Sequence, residues 1–157
     1  MRMRSIVFAV LVLALATIAL AADDPFVGTW KLNLAKSKYP AGQAPKSETI
    51  KFEALENGFK TVIDAVNSKG TTSHSEWQVY FDGKEYPAQP NIYVDADKFV
   101  STRVNAKTIY YVFKKGGKDV AHRQAFVSKD GKRLTTTAQL HGAKGKDVNI
   151  MEVFDKQ

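Results

Sequence analysis

Apolar and polar residues alternate with period two along most of this chain, and the runs are rich in Val, Ile, Thr, Tyr and Phe. That period is the mark of half-buried β-strands. In 47–55, Ile50 and Phe52 share one face while Thr49, Lys51 and Glu53 share the other. Ile109, Tyr111 and Phe113 alternate with Thr108, Tyr110 and Val112, so both faces of that segment are substantially apolar. Leu134, Ala138 and Leu140 oppose Thr135, Thr137 and Gln139, and Val148, Ile150 and Phe154 oppose Asn149 and Met151. Between these runs lie turn dipeptides, among them Asn57-Gly58, Lys69-Gly70, Asp82-Gly83, Gly116-Gly117 and Asp130-Gly131. Together they predict strands near 26–33, 47–55, 58–66, 71–81, 97–104, 107–114, 118–128, 132–140 and 147–155.

Two stretches break the rhythm. Asn33 is placed to cap a single helical turn, and 38–47, with Pro40, Gly42 and Pro45, reads as a loop. The segment 86–97 carries Pro87 and Pro90 and reads as irregular. No stretch after the first 21 residues has a long helical period. So many short strands joined by tight turns overfill a flat sheet of this size, and closing the sheet removes its exposed edges. The expected fold is all-β, an antiparallel up-and-down barrel of about eight to ten strands; a sandwich is the second choice.

The first 21 residues follow a different logic. Arg2 and Arg4 precede an apolar run from Ile6 to Leu20, and Ala19 and Ala21 put small side chains where a signal peptidase cuts. The run is shorter than the roughly 20 residues that span a bilayer. Residues 1–21 are therefore expected to be a cleaved signal peptide, and 22–157 one barrel domain in the periplasm or secreted, with no membrane insertion once the signal is gone.

The chain has no cysteine, which excludes disulfides, thiol chemistry and a lipoprotein anchor. Its formal charge of +7 falls to +5 without Arg2 and Arg4. The remaining cations are mostly lysines scattered near turns, as on soluble sheet edges, without the clustered arginine and exposed aromatics of a nucleic-acid surface. No nucleic-acid partner is expected, and a monomer is.

Phe26-Val27-Gly28-Thr29-Trp30, followed by Lys31 to Lys38, resembles the Gly-x-Trp opening of the lipocalin and wider calycin barrels, in particular small exported bacterial lipocalin-like proteins of unassigned activity. The resemblance implies that Gly28 starts the first strand and Trp30 closes the barrel floor. In that family an Arg from a late strand packs over the Trp; Arg123 and Arg133 are the candidates here. The family's Thr-Asp-Tyr motif is absent. Independently of the family, Trp30 with Phe26 and Leu32 on one face is a core anchor.

No catalytic set emerges. His74, His122 and His141 lie on different predicted strands without metal-ligand spacing, so no metal and no cofactor is expected. There is no Gly-x-Ser-x-Gly elbow, and Asp64, Glu76, Glu85 and Glu152 read as solvated. The aromatic surplus is the better lead: Trp77, Tyr86 and Tyr93 border the irregular segment and suit a rim, and Tyr111 belongs to the strand with two apolar faces. The expected function is binding of a small apolar molecule without catalysis. The alternative is a cell-envelope interaction or structural module whose barrel is filled by its own side chains. The two differ in interior volume, because ligand sites need a few hundred Å³.

Overall fold

A computed structural model describes residues 24–89, 94–141 and 147–157. The proposed signal peptide and Tyr93 lie outside the described residues. Ten strands form one antiparallel sheet: β1 Gly28–Leu32, β2 Ser47–Leu55, β3 Gly58–Val66, β4 Thr72–Tyr80, β5 Tyr86–Pro87, β6 Lys98–Asn105, β7 Thr108–Lys115, β8 Lys118–Val127, β9 Arg133–Leu140 and β10 Val148–Lys156. Nine of them fall within two residues of the segments expected from alternation. The tenth, β5, is a two-residue pairing of Tyr86 with Phe99 and Pro87 with Lys98 inside the segment read as irregular.

Strands consecutive in the chain pair with each other except β4 and β5, and β1 also pairs with β10, with Trp30 opposite Lys156 and Leu32 opposite Phe154. The ladder stops between β4 and β5, which are the two ends of the sheet. The wall is therefore hydrogen-bonded around its circumference except along one seam. There side chains make the contacts: Ser101 Oγ donates to the Tyr80 backbone carbonyl at 2.5 Å, and the Tyr80 and Tyr86 rings stand 5.3 Å apart.

β1 is interrupted as its sequence suggests. Asn33 caps a 3₁₀ turn, Leu34–Lys36, by accepting from the Lys36 amide, and Lys38 then rejoins the sheet opposite Met151. The inward faces of the strands build one core around Trp30, Phe52, Phe59, Ile109, Leu134 and Phe154. Trp30 is fully buried and donates its indole N–H to the Phe26 carbonyl at 2.7 Å. Lys156 supplies the cation above it, 5.1 Å from the ring; Arg123 and Arg133, the candidates from sequence, do not. The reason is the register: β10 is the hydrogen-bonded neighbour of β1, and Lys156 stands directly opposite Trp30. Arg133 instead lies on the surface near Asp155, and Arg123 points into the interior. The floor is finished by Arg103, ion-paired to Asp24, with its guanidinium 4.9, 5.2 and 5.4 Å from the rings of Phe81, Phe59 and Phe26.

Candidate functional site

Above the floor, the barrel holds an interior cavity of about 50 Å³. Its walls come from seven strands: Ile50 and Phe52 on β2, Thr61 and Ile63 on β3, Trp77 and Val79 on β4, Phe99 on β6, Tyr111 and Phe113 on β7, Arg123 and Ala125 on β8, and Thr136 on β9. Each of these residues follows from the period-two alternation of its strand. Of the residues singled out from sequence, the structure brings Trp77 and Tyr111 together here. Tyr86 is elsewhere, at the seam, where it packs on Tyr80 and Phe99 and donates its hydroxyl to Asp82 at 2.8 Å. Burial pushes the Tyr111 phenol up to about 12, so it stays a neutral hydroxyl.

Beside the cavity lies a polar cluster that the sequence reading missed. Glu152, read as solvated, is fully buried. It is ion-paired with Arg123, accepts from the Thr136 hydroxyl at 2.8 Å and receives the Tyr39 hydroxyl at 3.3 Å. Glu48, on β2, is also buried. Burial, and then the charge of Glu152, raise its pKa from the usual 4.5 to about 8, against a smaller opposing pull from Arg123. Parity carried the missing signal: Glu152 falls on the face of Ile150 and Phe154, and Glu48 on the face of Ile50 and Phe52. Residue type suggested solvent, and the alternation won. The 3₁₀ turn matters here, because the excursion of β1 returns Tyr39 to a position from which its hydroxyl reaches Glu152.

A larger concavity of about 490 Å³ lies outside the barrel, lined by outward residues such as Tyr110, His122, Gln124, Thr137 and Gln139. It is more open and most of its lining residues are polar, so the aromatic interior cavity is the better candidate despite its smaller volume. On the same outer face the His122 and His141 rings meet edge to face at 5.2 Å, a contact that their separation in sequence concealed. His122 bonds the Tyr110 hydroxyl at 2.5 Å and His141 the Asp147 carboxylate at 3.1 Å. His74 pairs with Asp64 at 2.6 Å on the surface, and the neighbouring Glu76 with Lys60 at 3.0 Å. Among the described residues, no group of three or more His, Asp or Glu side chains is arranged to hold a metal ion.

No family model and no curated sequence matches the chain. Its structure is similar to a fatty acid binding protein of Schistosoma mansoni in complex with arachidonic acid, with a TM-score of 0.62 at 13% identity over 85% of this chain and 96% of that one. It is also similar to the zebrafish ileal bile acid-binding protein complexed with cholic acid, with a TM-score of 0.57 at 13% identity over 85% and 99%. The third is lipid binding protein 8 of Caenorhabditis elegans, with 0.55 at 12% identity over 88% and 100%. The likeness is one of fold: the chain has an all-antiparallel, lipocalin-like barrel.

Proposed function

We propose that this barrel binds a small, largely apolar molecule in its interior and performs no catalysis. The observation that carries the reading is the interior cavity walled by Trp77, Phe99, Tyr111 and Phe113. Its architecture is shared with proteins whose solved complexes hold arachidonic or cholic acid. At about 50 Å³ the cavity is well below the ~300 Å³ of an ordinary ligand site. Uptake therefore goes with displacement of wall side chains, and the unladdered seam beside Trp77 and Tyr86 is where the wall yields most easily.

The small volume also favours a second reading, a cell-envelope interaction or structural module with a filled barrel. A neutral apolar fluorophore, N-phenyl-1-naphthylamine, separates the two. The first reading expects saturable binding at one site per chain, weakened by Tyr111→Lys, which puts an unpaired ammonium in an apolar wall. Ala125→Leu fills the cavity without adding charge and is expected to do the same. Absence of saturable binding by the folded protein favours the filled barrel.

The site of action belongs to the same proposal: a soluble monomer in the periplasm or the medium, released by cleavage after Ala21. Arg2, Arg4 and the run Ile6 to Leu20 support it. The intact mass of the exported protein tests it, and a product that keeps Ile6 to Leu20 overturns it.

A further inference from the structure

Thr61 lies on β3 between Phe59 and Ile63 and lines the interior cavity. It is only 3% exposed, and its Oγ1 has no hydrogen-bond partner among the described residues. Buried hydroxyls in native proteins are nearly all bonded, so an orphan in a cavity wall marks a place where a polar atom of a ligand belongs.

The charges around the cavity restrict what that atom is attached to. Arg123 reaches the cavity, and its guanidinium is ion-paired with Glu152. Glu48 beside them is held largely protonated near neutral pH, and Tyr111 keeps its proton. The interior is thus electrically balanced as it stands. A ligand carboxylate competes with Glu152 for one guanidinium and leaves an uncompensated negative charge in a low-dielectric space. An ammonium meets the face of Arg123. A neutral oxygen adds no charge and still satisfies Thr61.

We propose that the cavity selects a small neutral oxygenated molecule, an alcohol, phenol or carbonyl compound with a hydrocarbon body, and that Thr61 is the residue that determines this specificity. The assignment rests on the reading of the barrel as a ligand-binding protein. Four compounds of similar size separate the possibilities: toluene, benzyl alcohol, benzoate and benzylamine, titrated into the protein and followed by amide chemical shifts. Benzyl alcohol is expected to bind about tenfold more tightly than the other three, the kind of discrimination that a hydrogen bond to a buried polar group supplies. Thr61→Val keeps the side-chain shape. It is expected to bring benzyl alcohol down to the level of toluene and to raise the Tm of the ligand-free protein by removing an unpaired hydroxyl. Equal or tighter binding of toluene, benzoate or benzylamine to the wild-type protein overturns the assignment. So does a Thr61→Val protein that keeps the preference or melts lower. If none of the four saturates, the ligand-binding reading falls, and this one with it.

Discussion

A Cβ on Gly28 would stand 3.0 Å from Cε of Lys156. The glycine thus clears the path along which the lysine stem reaches Trp30, and its φ of +128° is one that other residues rarely adopt. The spacing Gly-x-Trp has a physical content here: the first position makes room for the cation that covers the third. Trp30→Ala is expected to cost roughly 3–5 kcal/mol in denaturant unfolding, because it removes a fully buried indole from the floor. A loss under about 1 kcal/mol, typical of exposed positions, would contradict its role.

Glu48 makes stability fall as pH rises. Its folded pKa of about 8 lies above the usual 4.5, so the folded chain holds a proton that the unfolded chain has released. The stabilisation is complete below pH 4.5 and is lost progressively up to pH 8. Between pH 5.5 and 8.5 the wild-type protein is expected to lose on the order of 3 kcal/mol relative to Glu48→Gln, which carries no titrating group there. Urea unfolding of both proteins at the two pH values measures the difference. Equal slopes would place Glu48 in water.

Arg123 and Glu152 form a buried pair whose members depend on each other. Arg123→Leu leaves Glu152 in the interior without its cation and is expected to cost about 3–5 kcal/mol. Adding Glu152→Leu should recover most of that loss, since an apolar pair of similar volume is often as stable as the ion pair. Unfolding of the two single variants and the double variant closes the cycle. Additive losses would mean that the two side chains act independently.

Gly58 is required for a different reason from Gly28. A Cβ there would lie 1.9 Å from the Val79 carbonyl oxygen, inside the β3–β4 pair. Gly58→Ala is expected to force these strands apart and to lower stability by at least about 2 kcal/mol, which thermal melting detects. Asn57 before it takes φ of +60° and should accept glycine at little cost.

Most of the fold was legible because alternation is a backbone property: Ile50 and Phe52, or Leu134 and Ala138, point inward wherever their strand is placed. Tyr111 follows from the same alternation, whereas Trp77, expected at the rim, lines the interior cavity. Glu48 and Glu152 were not, because a charged residue on an apolar face is read as exposed unless its partner is known, and the partner Arg123 lies on a strand far away in sequence. Lys156 over Trp30 depended on the pairing of β1 with β10, which no local pattern carries. Thr61 is the hardest case, since its significance is the absence of a hydrogen bond and its residue type is ordinary in a strand.

The seam between β4 and β5 gives the wall a preferred line of fracture. Elsewhere, parting two strands breaks a row of peptide hydrogen bonds; here it separates the Tyr80 and Tyr86 rings and releases one serine hydroxyl. Isotope exchange should record this as an asymmetry within a single strand. Amides of β4 directed at β3 are shielded by the ladder, while those directed at the seam trade their protons with solvent whenever the tyrosines part. The barrel therefore has a hinge side and a latch side, although its ten strands are built on one repeating pattern.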